Sequence, residues 1–165
     1  MSVSVPASSS TFARALLVRQ IDALRAADAD VRAGETDAIH AVRVAARRLR
    51  STLTSYRTLL PTTEARRLTD ELRWLGAALS PARDAQVMRD RLLGELADTP
   101  ADLVVGPVRE RIRAALDDDA RLGQEGAAEA LVSARYARVL GDLDALAQAD
   151  PPRGVRPRAA ARAAR

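Results

Sequence analysis

The chain has a single histidine, and four arginines follow it in the stretch "IHAVRVAARRLR", residues 39–50: His40, then Arg43, Arg47, Arg48 and Arg50. No carboxylate lies between Ala38 and Thr63. A guanidinium stays charged across the physiological range, and its planar fork makes bidentate hydrogen bonds to phosphate. A row of such groups without acids suits an anion that repeats its charge. His40 can add one hydrogen bond to a phosphate oxygen. It has no helical neighbours fit to share a metal, because the residues three, four and seven positions on are Arg43, Val44 and Arg47.

At about 100° per residue, Val42, Ala46, Leu49, Leu53, Tyr56 and Leu60 form one narrow apolar stripe on a helix. His40, Arg43, Arg47 and Arg50 fall on the opposite side, within roughly 80° of one another, in a row about 15 Å long. Arg48 sits on a flank, and Arg57 extends the row toward the C-terminal end. Arginines three and four positions apart repel by a few tenths of a kcal/mol per pair. A helix that needed only solvation would carry glutamates at those spacings. The competing reading is a solvated face in an arginine-rich chain.

The overall charge does not decide between these readings. All 26 basic residues are arginine, set against 22 acids. Five of them crowd into the last thirteen residues, and residues 1–152 hold 21 arginines against the 22 acids. An anion site must therefore come from local clustering and not from the field of the whole chain. The absence of cysteine excludes disulfides and thiolate metal sites. No cofactor is expected. No apolar run approaches the ~20 residues that span a bilayer, and the N-terminus lacks the pattern of a signal peptide. A cytoplasmic location is expected.

The elements that position the row read as all-α. Alanine, leucine and arginine dominate, and all three favour helices. Apolar periodicity predicts helices over 11–31, ended by Gly34, and over 37–60, capped by Thr36 or Asp37 and stopped by Pro61. A third starts at Thr62 or Thr63 with Leu68, Leu72, Leu75 and Leu79 inside. Ser80-Pro81 reads as the cap and first position of a fourth, 81–97, with Val87, Met88, Leu92 and Leu96 inside. A fifth is expected over 103–122, ended or interrupted by "LGQEG", and a sixth over 126–148. Short links imply an antiparallel bundle of five to six helices. Residues 1–10 read as a disordered N-terminus, 11–149 as one helical domain, and 150–165 as a disordered Pro/Arg/Ala-rich tail.

The pattern His-x-x-Arg-Val-x-x-Arg-Arg-Leu-Arg, residues 40–50, resembles the signature of the CHAD family, the conserved histidine α-helical domain. "LTDELRWLGAALSPARDAQVM" resembles that family's next block, through Trp74-Leu75 and Arg83-Asp84, and "ALVSARYARVLGDL" its later helix. The resemblance covers about residues 12–147. It implies an all-helical fold and binding of inorganic polyphosphate, in a family found with polyphosphate granules or fused to triphosphatase-type domains. His40, Arg43, Arg47, Arg48 and Arg50 match the family's anion-binding helix, with Arg57 and Arg83 as further matches. None is a catalytic residue. The chain departs from the pattern in two ways: it resembles only the N-terminal half of a full domain, and Gln86 stands where the family often has an acid.

The expected function is thus non-enzymatic binding of inorganic polyphosphate. The alternatives are nonspecific binding to a nucleic-acid backbone or an accessory role beside a triphosphatase-type enzyme. One Trp, one Phe and two Tyr are too few for a base-stacking platform. Asp84, Asp90 and the run Asp117-Asp118-Asp119 are the carboxylates a phosphate-cleaving enzyme would have to use with a metal. Because the basic helix lacks the second half it would face, a weak homodimer promoted by polyphosphate is expected. Light scattering with and without polyphosphate checks this, with a rise in mass on addition as the expected outcome.

Overall fold

The computed structural model describes residues 9–35, 37–100, 103–104 and 106–149. Among them are six α-helices and no strand: α1 (Ser9–Arg32), α2 (Ala38–Ser55), α3 (Thr62–Ala78), α4 (Ser80–Asp98), α5 (Val108–Val132) and α6 (Ala134–Gln148). The expected all-α architecture is present. Helix α1 begins at Ser9, within the stretch expected to be disordered; the remainder of that N-terminal expectation and all of the 150–165 tail lie outside the described residues, as does Thr36.

Gly34 ends the first helical segment as the sequence implies. Its φ of 75° is left-handed, its N–H donates to Val31 O, and the N–H of Glu35 donates to Asp30 O, both at 3.0 Å. This pair of bonds is a Schellman closure. Helix α2 stops at Ser55, five residues before the expected Leu60. Tyr56 is its C-cap, and Leu59 N–H bonds Tyr56 O at 2.8 Å. The residue before a proline avoids helical ψ, so the chain must leave the helix ahead of Pro61. Arg57 consequently lies in the turn and not on the helix.

Helices α1, α2, α3 and α6 make a ring of four, each touching the next. Arg67 pairs with Asp142 and Arg135 with Glu71, so α3 and α6 run in opposite directions. Arg14 reaches the carbonyl of Ala147, and Arg25 reaches Asp144, which gives the same relation between α1 and α6. The core lies along the axis of this ring. Leu17, Ile21 and Leu24 meet Val42, Leu49 and Leu53, then Leu68, Leu72 and Leu75, then Tyr136, Val139 and Leu143. The stripe read for α2 is buried as expected, with Tyr56 partly so. Tyr136 is 1% exposed. Burial, and then the charge of Asp28, pushes its phenol above its ordinary value.

Helices α4 and α5 form a hairpin against this bundle. A helix with one close neighbour buries only one edge, so only Ala82 of α4 is fully buried. Val87 and Met88 are 48% and 50% exposed, and Leu92 and Leu96 are half-buried. The expected interior row of α4 is therefore a flank. The expected break at "LGQEG" is also absent: α5 runs through Gly123 and Gly126 and ends at Val132, with Ser133 as its C-cap. Ser133 also caps α6, accepting from Tyr136 N–H at 3.1 Å. Ser80, read as a cap, is the first residue of α4, and its hydroxyl donates to Asp84 at 3.1 Å.

Gly123 survives within the helix because of packing. A Cβ there would lie 2.7 Å from Ala82 Cα and 2.8 Å from its backbone nitrogen, whereas one on Gly126 meets nothing. Gly126→Ala is therefore expected to raise stability by about 0.5–1 kcal/mol through helix propensity. Gly123→Ala should lower it by about 1–3 kcal/mol through overpacking. Urea unfolding of the two variants checks the opposite signs.

Candidate anion-binding site

Helix α2 places its arginines according to the order of its apolar stripe. With Val42, Ala46 and Leu49 fixed in the core, Arg43 and Arg50 emerge at the edge facing α3, and Arg47 lies farther out. Arg43 and Arg50 are half-buried; His40, Arg47 and Arg48 are exposed. The row therefore does not point straight away from the bundle. It forms one wall of a groove of about 550 Å³ between α2 and α3.

His40, Arg43, Val44, Arg47 and Arg50 line this groove from α2, with Leu72, Arg73, Gly76 and Ala77 from α3 opposite and Arg83 from α4. Gly76 and Ala77 carry almost no side chain, and a Cβ on Gly76 would meet nothing within 4 Å. The small residues keep the space beside the arginines open.

The α2 wall carries charge that the protein's own acids do not offset among the described residues. Cross-helix and intrahelical pairs neutralise Arg25, Arg67, Arg89, Arg91, Arg121 and Arg135. Among the described residues no acid pairs with Arg43, Arg47, Arg48 or Arg50. Arg43 Nη1 and Arg50 Nε are buried and have no hydrogen-bond partner among the described residues. A buried donor left unsatisfied costs about 1–3 kcal/mol, and more when charged.

The structure thus gathers five of the seven residues named from the sequence: His40, Arg43, Arg47, Arg50 and Arg83. Arg48 stays on the exposed flank and does not line the groove. Arg57 lines a separate hollow of about 240 Å³ with Arg66, Thr69 and Asp70, farther along the same pair of helices. Arg83 is not free: its Nη1 donates to Asp37 at 3.2 Å and to Gln86 at 3.1 Å. Asp37 accordingly makes no side-chain cap on α2, contrary to expectation. Arg73 is the residue the sequence reading missed. It pairs with Asp70 on its own helix, so it looked like one more balanced charge in a mixed helix. The signal for it is the small pair Gly76-Ala77 one turn on, which exposes its flank to α2.

The other conspicuous blocks are structural. The Arg135 guanidinium stacks on Trp74, 4.1 Å from the ring centre, and grips Glu71 at 2.7 and 3.3 Å. That contact docks α6 on α3. Asp117 and Asp118 pair with Arg89 and Arg121, and among the described residues no three ligating side chains converge on a metal position. No described helix is long and apolar enough to cross a membrane.

Comparison with known proteins gives the family of this all-helical fold. The CHAD domain model matches residues 15–165. Two uncharacterized proteins of Mycobacterium tuberculosis, MT2285 from strain CDC 1551 / Oshkosh and Rv2226 from strain ATCC 25618 / H37Rv, are each 41% identical over 130 residues, covering 77% of this chain and 25% of theirs. PptA from Streptomyces chartreusis superposes with a TM-score of 0.70 at 23% identity, covering 86% of this chain and 50% of its own. The chain belongs to the CHAD domain family. It spans about a quarter of the length of the curated relatives and half of the solved one.

Arg50 pairs with no acid and its Nε is buried without a hydrogen-bond partner among the described residues, so replacing it with an apolar side chain of similar length should not weaken the bundle. Arg50→Met is expected to leave stability unchanged or raise it by up to about 1 kcal/mol. The urea midpoint of the free protein checks this.

Proposed function

We propose that the groove between α2 and α3 binds inorganic polyphosphate without cleaving it. The observation that carries this reading is a row of three arginines, Arg43, Arg47 and Arg50, lining one groove with no acid paired to any of them among the described residues. Phosphate oxygens satisfy such donors with charge-assisted bonds. His40 adds a further donor. Arg73 and Arg83 extend the positive lining to the other side. A linear polyanion with a charge on every unit matches a wall of this kind better than a single phosphate does.

Among the described residues no Trp, Tyr or Phe lines the groove, so it lacks the run of large aromatic rings on which single-stranded nucleic acid stacks its bases. This favours a ligand that is phosphate alone. Membership of the CHAD family supports the same assignment. The role is that of a binding module, with polyphosphate as its partner.

Each phosphate engaged releases counterions. By analogy with single-stranded nucleic acid, log K should fall with log salt by about 0.7 for each phosphate contacted. Four contacts give a slope near −3. Arg47→Ala/Arg50→Ala should weaken binding by roughly 100-fold or more at fixed salt, since two charge-assisted bonds of about 1.5 kcal/mol are lost. Calorimetric titration with polyphosphate, beside circular dichroism showing retained helix, checks both. Binding by the double variant equal to that of the parent sinks the assignment, and duplex DNA competing as well as polyphosphate at the same ionic strength turns it toward nucleic acid.

A further inference from the structure

Asp37 stands just ahead of α2 and reaches across to α4. Its φ of 63° makes it the non-glycine residue with a left-handed backbone among the described residues, a conformation that aspartate tolerates better than most side chains. Its Oδ1 accepts from Arg83 Nη1 at 3.2 Å and from Gln86 Nε2 at 2.9 Å. Gln86 Oε1 accepts from the same Arg83 nitrogen at 3.1 Å, which closes a ring of three bonds.

Arg83 lines the arginine groove, whereas Asp37 and Gln86 line the adjoining hollow with Ile39, Arg89 and Gln124. Arg83 therefore forms the partition between the two spaces. It differs from the other groove arginines in how it is held. Arg43, Arg47 and Arg50 have no acid, Arg73 has Asp70 of its own helix, and Arg83 alone in the groove is held by an acid from another element. The Arg83 side chain is 26% exposed and that of Asp37 is 61% exposed, so the carboxylate is the end that can swing into water.

We infer that Asp37 is an internal counter-ion of the groove, its carboxylate occupying Arg83 in place of a ligand phosphate, so that a polyanion must displace Asp37 to engage that arginine. The inference rests on the anion-binding reading of the groove and adds a regulating residue to it. A short anion held by Arg43, Arg47 and Arg50 leaves Asp37 in place. A chain long enough to reach Arg83 competes with it. The displaced carboxylate keeps water and the N-terminal end of α2 as favourable surroundings.

The test is a double-mutant cycle on the whole chain, titrated by calorimetry with long-chain polyphosphate and with tripolyphosphate at low salt. Asp37→Asn accepts the left-handed backbone and keeps an oxygen for Gln86 while removing the charge; Asp37→Gly is the second variant, should the first fold poorly. The expected result is long-chain binding tightened roughly two- to fivefold, the range of an exposed ion pair, with tripolyphosphate unchanged. In an Arg83→Gln background the same substitution should change nothing. If wild type binds and Asp37→Asn does not tighten it, or tightens it equally without Arg83, the counter-ion role is wrong and the groove assignment stands. Binding that shows only once Asp37 is neutralised supports both, and binding by neither protein overturns both.

Discussion

Burial of one side of α2 holds the rest of this protein in place. Arg43, Arg47 and Arg50 repel one another by a few tenths of a kcal/mol per pair. The helix withstands that because Val42, Leu49 and Leu53, each essentially fully buried, contribute about 1.5–3 kcal/mol apiece. The margin is large enough that the charged side needs no internal ion pairs. The same burial sets the rotation of the helix. Once the stripe is seated against α1 and α3, Arg43 and Arg50 have to emerge at the seam with α3.

The seam stays open because part of its other wall is small. Gly76 and Ala77 leave room where larger residues would have closed over the guanidinium groups. Trp74 and Glu71, next to them on α3, face the other way and receive Arg135 of α6. One helix thus serves two neighbours: a large aromatic and an acid dock α6, and two small residues keep the groove open toward α2. The arrangement explains why arginine behaves so differently at different places in one chain. At helix–helix joints it pairs with an acid; on the α2 wall of the groove Arg43, Arg47 and Arg50 pair with no acid among the described residues.

Much of this was legible in the residues. The run from His40 to Arg50 lacks any acid, and its stripe of Val42, Ala46, Leu49 and Leu53 has a period that only a helix satisfies. Gly34 and Pro61 punctuate the chain close to where glycine and proline must. Boundaries governed by packing were not legible. Gly123 reads as a breaker, yet it lies inside α5 because Ala82 of α4 passes too close for a side chain. Val87 and Met88 look like core, yet they are half-exposed because α4 has one close neighbour and not two. Arg57 continues the row on a wheel, but the proline four residues on takes it off the helix.

By itself the sequence determined that the chain is helical, that one helix carries unbalanced arginines, and which side of that helix goes inward. Periodicity, propensity and local charge are properties of neighbours along the chain, and they are complete before anything folds. Only the tertiary structure decided that Arg43 and Arg50 are half-buried in a groove, that Arg73 joins them from α3, that Arg48 is left outside, and that Asp37 holds Arg83 instead of capping α2. Each of these depends on the approach of residues from separate helices. That approach is set by how the bundle seats its core, and no one-dimensional pattern records it.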